Sequence, residues 1–333
     1  MDTSDLLSKT EFVSRRFFED VQIARFGDRY VKYRSDFKKA MNLEFVTDFP
    51  LYIMLEQTFK CNLGCVGCIQ GNKNDREKYA TETMSDLLFD KIIDESGCHN
   101  LCSIAMHSTD EPLLVNRLSK RIELARQAGV MDIILTTNGN LLTRNKSEDI
   151  LNAGVTHILF SLDAYTVDTY NKVRPGGDFD KVLNAIKYIR EIRGNKAIPL
   201  LRASFVESSL NKHEKKGFVD FFRDIVDFVE IQAFSAYGND SKTLAPEDSL
   251  FLDPNEYSCS MPFTRVIIRG NGDVLPCCSF YSYDIVLGNI NTESIKNIWR
   301  GDKMNSLRAD CKNRSYSDPT CRLCISSTVD LTG

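Results

Sequence analysis

The chain has 333 residues, 42% hydrophobic and 26% charged, which is ordinary for a globular protein with one large domain and a smaller one. Its formal net charge of −4 gives no electrostatic basis for binding nucleic acid. No apolar run is long enough to span a membrane, and the acidic start Met1–Asp5 lacks a signal-peptide pattern, so we expect a cytoplasmic protein that binds neither nucleic acid nor membrane.

Residues 1–50 combine charged residues with interleaved aromatic ones. The aromatic residues are Phe17, Phe18, Tyr30, Tyr33 and Phe37. This pattern predicts one or two helices that pack on the outside of the main domain as an N-terminal extension. A folded peptide-recognition module would normally need more residues than this segment has.

Strand and helix patterns alternate over residues 51–252. Six short apolar segments rich in strand-forming residues predict buried strands at Leu51–Leu55, Leu101–His107, Met131–Thr137, Thr156–Leu162, Leu200–Val206 and Phe228–Phe234. Amphipathic stretches separate them, most clearly over residues 179–189, where apolar residues share one helix face. Repeated strand–helix alternation predicts an α/β domain with a parallel sheet covered by helices.

Three cysteines follow the first predicted strand with C-x3-C-x2-C spacing, at Cys61, Cys65 and Cys68. Thiolates are the usual ligands of iron–sulfur clusters, and three of them leave one iron of a cubane without a protein ligand. An open iron can bind and activate another molecule. The alternatives are a structural zinc site or buried free thiols, although zinc prefers four ligands and no fourth ligand lies nearby.

With Asn62 after the first cysteine, this motif resembles that of the radical S-adenosylmethionine (SAM) enzymes, although Gly67 stands where the family often has an aromatic residue. The resemblance implies a partial (β/α)6 barrel and a [4Fe–4S] cluster on the three cysteines. It also implies that SAM chelates the open iron and is cleaved to a 5′-deoxyadenosyl radical, which abstracts hydrogen from carbon. A flavodoxin- or ferredoxin-type reductant would supply the electron.

The resemblance also implies where SAM is held. The family's Gly-Gly-Glu-Pro run corresponds to Ser108–Pro112, which keeps Glu111 as an acceptor for an ammonium group but replaces the glycines. Asn138, Ser161 and Arg174 match positions near the cofactor in the family, and the fork of an arginine suits a carboxylate. The alternatives are a helix-start acid for Glu111, an ordinary Asn-Gly turn at Asn138 and a surface residue at Arg174.

Three further polar residues lie on the predicted strands or at their ends. His107 is predicted at a strand end facing the barrel mouth, where it is either a proton acceptor or a satisfied polar residue beside the cluster. Arg202 and Gln232, on later strands, are candidate substrate contacts.

The tail, residues 253–333, holds six of the eleven cysteines. A glycine-turned hairpin over residues 263–275 would bring Cys259 and Cys277 together, and the C-x2-C pair Cys321 and Cys324 would complete four thiolates. Short helices are expected at residues 294–299 and 303–307. A zinc site remains the alternative, because zinc also uses four cysteines ending in C-x2-C.

This tail resembles the SPASM and twitch domains of radical SAM enzymes. The resemblance implies one auxiliary [4Fe–4S] cluster with Cys259, Cys277, Cys321 and Cys324 as ligands. Cys278 and Cys311 are candidate catalytic residues: either one replaces a named ligand, donates a hydrogen atom or is simply buried.

The leading hypothesis is a radical SAM oxidoreductase that acts on a small-molecule substrate of the sugar, aminocyclitol or nucleoside type, with dehydrogenation of an alcohol as the outcome. The alternative is a maturase or epimerase that modifies a peptide or protein, although a second auxiliary cluster and a leader-binding module are not evident in the sequence. A non-enzymatic electron-transfer or metal-storage protein is the third hypothesis, and the open-iron motif argues against it.

Overall fold

The computed structural model describes residues 8–12, 15–235, 240–247 and 249–330. The acidic start Met1–Asp5 and the side chain of Phe17 lie outside that description. The strands are β1 Ser8–Phe12, β2 Tyr52–Leu55, β3 Ser103–Ala105, β4 Asp132–Thr137, β5 His157–Ser161, β6 Leu200–Val206, β7 Phe228–Gln232, β8 Arg265–Ile268, β9 Asp273–Leu275 and β10 Gly288–Asn289.

These strands form one ten-stranded sheet in the order β1-β7-β6-β5-β4-β3-β2-β8-β9-β10. Neighbouring strands from β2 to β7 are parallel throughout. The predicted α/β class with a parallel sheet is therefore confirmed. The observed β3 is shorter than the predicted strand at Leu101–His107, and β7 ends at Gln232 rather than Phe234.

Helices lie between the strands, and several begin at a residue that caps the helix. Ser85, Thr143, Thr166 and Asp178 each accept a hydrogen bond from the backbone N–H three residues ahead. The helices are α1 Arg15–Phe26, α2 Asp28–Met41, α3 Lys73–Lys78, α4 Asp86–Cys98, α5 Leu118–Gln127, α6 Arg144–Ala153, α7 Val167–Val173, α8 Phe179–Arg193, α9 Lys215–Phe222, α10 Asp240–Leu244, α11 Met261–Thr264, α12 Ile295–Arg300, α13 Asp302–Asn313 and α14 Pro319–Ser326.

The parallel strands have two different faces, because successive side chains point to opposite sides of a sheet. Apolar residues such as Ile133, Phe160 and Phe205 pack in the main core with the helices. We call the opposite side the inner face. On β2, β3, β4, β8 and β9 this face carries apolar residues, whereas on β5, β6 and β7 its polar residues include Ser161, Arg202, Ser204, Glu230 and Gln232. The polar part of the inner face suits a polar ligand better than a lipid-like one.

One or two helices were predicted for the N-terminal extension; it has two, α1 and α2, and also a strand that the sequence did not predict. Strand β1 pairs antiparallel with β7 over five residues. On α1, the Gln22 amide donates to the Asp132 carboxylate at 2.7 Å, and the Phe18 ring contacts His157 with centroids 4.4 Å apart. The extension therefore adds to the sheet and covers the beginnings of β4 and β5.

The tail joins the same sheet. Strand β8 pairs parallel with β2, from Tyr52 opposite Arg265 to Leu55 opposite Ile268. The predicted hairpin is confirmed, since β8 and β9 are antiparallel and Gly272 has the positive φ of 90° that favours glycine at such a turn. The hairpin thus lies beside β2, the strand that leads into the C-x3-C-x2-C loop.

Candidate functional site

The loop that carries Cys61, Cys65 and Cys68, which we call the triad, is anchored to the segment after α7. The backbone N–H of Gly64 donates to Pro175 O at 3.1 Å, and that of Val66 donates to Val173 O at 3.0 Å. These two bonds join segments that are more than one hundred residues apart in the sequence. They hold the triad loop at the end of β2, where ligand sites of parallel α/β sheets form.

The loop also closes on itself after the third cysteine. Cys68 N–H donates to Cys65 O at 3.2 Å, and Gly71 N–H donates to Cys68 O at 2.8 Å. A Cβ at position 71 would lie 2.3 Å from Cys65 O, so only glycine permits this turn. The sequence therefore folds the loop tightly around the three thiols.

The three thiols of the triad are suitable ligands for an iron–sulfur cluster. Burial raises the pKa of the Cys61 thiol to about 11 and that of Cys68 to about 12, so these groups need a nearby positive charge in order to ionise. Metal ions supply that charge, and thiolates are the ligands that iron–sulfur clusters take.

Arg174 reaches the triad directly. Its Nη1 donates to Cys65 Sγ at 3.6 Å, its Nη2 donates to the Asp163 carboxylate, and its Nε donates to Leu162 O at 3.1 Å. Burial opposes its charge, but Asp163 and Cys65 outweigh that effect and raise the pKa of Arg174. The guanidinium is therefore already engaged, and its predicted contact with the SAM carboxylate stays a prediction.

Glu111 is buried and receives three hydrogen bonds. Its Oε1 accepts from the Thr137 hydroxyl at 2.7 Å and from Leu113 N–H at 3.1 Å, and its Oε2 accepts from Asn138 N–H at 2.9 Å. The hydrogen bond from Leu113 N–H is the helix-start cap that the sequence offered as the alternative role for Glu111. Glu111 can form this cap and also accept a hydrogen bond from an ammonium group. One lone pair of Oε2 is left, which suits an ammonium group.

Asn138 connects the end of β4 with the triad. Its side-chain amide donates to Asn62 Oδ1 at 3.0 Å and lies 3.8 Å from Cys61 Sγ. Ser161 ends β5 on the inner face, and its hydroxyl has no hydrogen-bond partner among the described residues. The structure therefore brings Glu111 and Asn138 together with the triad and leaves the Ser161 hydroxyl available.

His107 is engaged at one ring nitrogen. Its Nδ1 accepts from Thr136 N–H at 3.0 Å, which leaves the proton of the neutral ring on Nε2. Burial lowers its pKa to about 4, so the ring is neutral at pH 7. This geometry supports the satisfied polar residue, while the proton-acceptor role stays a prediction.

Asp110 lies in the segment that replaces the family's glycines, and sequence reasoning gave it no role. Its Oδ2 accepts from the backbone N–H groups of Gln57 and Thr58, both at 3.2 Å, and its Oδ1 accepts from Ser108 N–H at 2.8 Å. The carboxylate thus binds the chain leaving β2 to the motif that carries Glu111. A lone aspartate in the sequence gives no signal for this pairing.

Sequence reasoning also missed a second group of hydrogen-bonded buried residues, because a lone charged residue in the sequence does not reveal its distant partners. The Glu56 carboxylate accepts from Arg269 Nε at 2.9 Å, from the Thr109 hydroxyl at 3.1 Å and from the Tyr283 hydroxyl. We call these four residues the Glu56 network. It joins the chain leaving β2, the Ser108–Pro112 motif and the tail.

Five thiols in the tail line one cavity. They are Cys259, Cys277, Cys311, Cys321 and Cys324. The four predicted ligands therefore lie together, and Cys311 on α13 is a fifth whose sulfur contacts that of Cys259. Cys278 is exposed and does not line the cavity.

The thiols that line this cavity are likewise suitable ligands for an iron–sulfur cluster. Burial raises the pKa of both Cys321 and Cys324 to about 12, so a cation is needed there as well. Within residues 8–12, 15–235, 240–247 and 249–330, no three His, Cys, Asp or Glu side chains converge closely enough to hold a single metal ion. The thiols surround a shared space instead.

Two family models match this chain. One, described as the radical SAM superfamily, matches residues 55–201, and the other, the SPASM iron–sulfur cluster-binding domain, matches residues 259–325. They confirm the predicted family pairing, and they support [4Fe–4S] clusters with SAM as the cofactors. No helix in the described part of the chain has the length and hydropathy that a membrane crossing requires.

Curated relatives carry different names. A probable GTP 3',8-cyclase of Methanocaldococcus jannaschii is 30% identical over 53% of this chain, which spans 56% of that relative's length. The tungsten-containing aldehyde ferredoxin oxidoreductase cofactor-modifying protein of Pyrococcus furiosus is 24% identical over 82% of this chain and 86% of its own length.

Solved structures share the fold. BtrN in complex with AdoMet and 2-DOIA has a TM-score of 0.55 at 19% identity, over 84% of this chain and 93% of that one. Streptococcus suis SuiB bound to its precursor peptide SuiA has a TM-score of 0.58 at 15% identity, over 85% of this chain and 71% of that one. At these identities, the likeness concerns the fold alone.

Proposed function

Because the chain carries a radical SAM domain followed by a SPASM domain, we propose that it dehydrogenates an alcohol carbon of a small polar molecule of the sugar, aminocyclitol or nucleoside type. When bound, SAM with the first cluster supplies a 5′-deoxyadenosyl radical for hydrogen abstraction, and a closed auxiliary cluster supplies an acceptor for one electron. The proposed ligands are Cys61, Cys65 and Cys68 for the first cluster, and Cys259, Cys277, Cys321 and Cys324 for the second.

We also propose how the chain is organised around this chemistry. Residues 1–50 form the N-terminal extension, residues 51–252 the barrel and residues 253–333 the auxiliary domain. A flavodoxin- or ferredoxin-type protein of the cytoplasm is the proposed reductant.

The oxidation removes one hydrogen atom from carbon, one proton from the hydroxyl and one electron, and converts C–OH to C=O. The chain must therefore provide a polar pocket and a proton acceptor. The inner face offers polar side chains and a carboxylate: Glu230 lies there with a side chain 12% exposed and paired with Arg202, beside the register position of Ser204. We assign the hydroxyl proton to the Glu230 carboxylate, since carboxylates serve as general bases when held near a substrate.

One observation carries the proposal: the hairpin that leads to Cys277 packs against the inner face near the triad. Ile267 on β8 and Leu275 on β9 belong to the same apolar cluster as Tyr52 and Cys68. The proposed ligand Cys277 follows β9 by two residues, so an electron acceptor held by Cys277 would lie near the surface that we propose for the substrate.

The comparison with BtrN supports a small substrate, because that protein holds AdoMet together with 2-DOIA on the same fold. The polar side chains Arg202, Glu230 and Gln232 on the inner face are compatible with a polar ligand. The curated relatives do not favour one substrate, since their names include a cyclase and a cofactor-modifying protein.

The test uses anaerobically reconstituted protein with dithionite, SAM and a panel of aminocyclitols, sugars and nucleosides. We expect 5′-deoxyadenosine together with one product two mass units lighter than its substrate. Replacing Cys321 and Cys324 with alanine should leave some SAM cleavage and block the product. Because loss of a cluster also loosens a domain, this variant must first be shown to be soluble and to keep its triad iron.

Peptide modification is the second candidate, and two observations favour it. SuiB, which shares the fold, binds a precursor peptide, and the exposed Cys278 thiol is accessible as a hydrogen donor. An epimerase would leave the substrate mass unchanged in ordinary water and would introduce one deuterium at carbon in deuterated water. That result would reject dehydrogenation and would assign the donor to Cys278 or Cys311.

A further inference from the structure

Arg174 is a buried arginine whose guanidinium touches a triad sulfur. Its side chain is 10% exposed, and its Nη1 donates to Cys65 Sγ at 3.6 Å. The Asn138 amide, 3.8 Å from Cys61 Sγ, is a neutral donor beside another triad sulfur. A hydrogen bond from a charged donor is stronger than one from a neutral donor, so Arg174 is the donor with the larger expected effect on the triad.

Two further hydrogen bonds fix the guanidinium in this position. Its Nε donates to Leu162 O at 3.1 Å, and its Nη2 donates to the Asp163 carboxylate. Asp163 is held in turn, because its Oδ1 accepts from Val206 N–H and its backbone O accepts from the Asn211 amide, both at 2.8 Å. These bonds keep Asp163 at a φ of 59°, which residues other than glycine rarely adopt. Asp163 is therefore a positioning residue for the Arg174 charge.

The charges around the triad differ in sign. Arg174 acts electrostatically on all three triad sulfurs and favours negative charge there. The carboxylates of Glu111 and Asp163 act on individual triad sulfurs and disfavour negative charge. Buried charges are weakly screened by solvent and salt, so this balance should act on any electron that arrives at the triad.

We propose that Arg174, positioned by Asp163, sets the reduction potential of the cluster on the triad, which rests on the proposed cluster ligands. One electron from the flavodoxin- or ferredoxin-type reductant adds one negative charge beside the guanidinium, and no bond forms or breaks. Hydrogen bonds to the sulfurs and net charge are among the factors that set iron–sulfur potentials. Arg174 supplies both, so it makes the cluster easier to reduce. This role is separate from the predicted contact with the SAM carboxylate, because it operates without SAM.

The test compares the midpoint potential of the triad cluster, without SAM, in full-length, anaerobically reconstituted variants. Arg174→Met removes the charge and the donors, and Arg174→Lys keeps the charge. Asp163→Asn removes the counter-charge but keeps an oxygen that can accept from Val206 N–H. Arg144→Met is the control, because Arg144 also pairs with a carboxylate but its side chain is 48% exposed. The triad signal is the EPR signal that is lost when the three triad cysteines are replaced with alanine.

We expect Arg174→Met to keep its iron and to lower the midpoint potential. The ratio of reduced to oxidised triad cluster at a fixed potential should fall about tenfold, which corresponds to about 59 mV for one electron. Arg174→Lys should retain more of the wild-type potential, because its charge remains. Asp163→Asn should raise the potential, since it removes a negative charge. Arg144→Met should match the wild type.

An unchanged potential in Arg174→Met would overturn the proposal, and weaker SAM binding in that variant would then leave Arg174 as a SAM contact alone. Shifts of Arg174→Met and Asp163→Asn in the same direction would also overturn it, because lost packing would explain both. If Arg174→Met loses its iron, Arg174→Gln takes its place, and loss of iron there too would make Arg174 a support of the triad loop instead. A wild type without triad iron would reject the cluster itself, whereas a missing oxidised product would reject only the dehydrogenation.

Discussion

Replacing Arg269 with methionine should destabilise the protein strongly. The Arg269–Glu56 pair is buried, with side chains 7% and 0% exposed, and Arg269 Nε donates to Glu56 Oε1 at 2.9 Å. Removing the cation leaves the carboxylate buried without its counter-charge, which costs about 3–5 kcal/mol in comparable pairs. Methionine keeps much of the packing against the Tyr283 ring, which lies 4.7 Å from the guanidinium.

The assay is thermal unfolding of the full-length chain. An unfolding entropy of about 2.1 cal/mol/K per residue over 333 residues gives about 1.4 °C per kcal/mol, so Arg269→Met should lower the melting temperature by roughly 4–7 °C. The control is Arg117→Met, which breaks a pair with Asp86 whose side chains are 58% and 46% exposed. Such a surface pair is worth about 1 kcal/mol or less.

A double variant, Glu56→Met with Arg269→Met, removes both charges, so its comparison with Arg269→Met measures the cost of the unpaired Glu56 carboxylate. It should recover most of the lost stability, because apolar replacement of a buried pair is often neutral. The Thr109 and Tyr283 hydroxyls already contact each other, so we expect them to stay paired in that variant. The reasoning is refuted if Arg269→Met unfolds no earlier than Arg117→Met, or if the double variant is as unstable as the single one.

Replacing the three triad cysteines with alanine should abolish 5′-deoxyadenosine formation and leave about four irons per chain, against about eight in the wild type; full iron retention would contradict the assignment. Cys311→Ser should keep the auxiliary iron, because four other thiols line the cavity, and stoichiometric loss of about four irons would identify Cys311 as a ligand. Glu111→Gln should weaken SAM binding by about tenfold, since it removes the charge that we propose faces the ammonium group, and calorimetry would measure it. Burial raises the pKa of Asp132 to about 6, above its unfolded value, so its contribution to stability should fall as pH rises from about 4 to 6 and stay low above that range. Asp132→Asn should flatten this part of the pH–stability curve, and an unchanged curve would show that the carboxyl does not titrate there.

The sequence by itself determined what depends on local spacing. The C-x3-C-x2-C run, the C-x2-C pair and the six apolar segments follow from residues close together in the chain, so a single sequence reveals them. The parallel sheet and the hairpin followed from that alternation and from the glycine turn, and both are confirmed.

Only the tertiary structure decided what depends on pairing between distant segments. Glu56 and Arg269 are 213 residues apart, and no periodicity indicates that they meet. The same holds for β1, whose partner β7 begins more than two hundred residues later, and for Cys311, which reaches the thiol cavity only because α13 packs there. The engagement of Arg174 by Asp163 and Cys65 also belongs here. Local spacing fixes which groups a segment offers, whereas the closure of the sheet and the packing of the tail decide which groups meet.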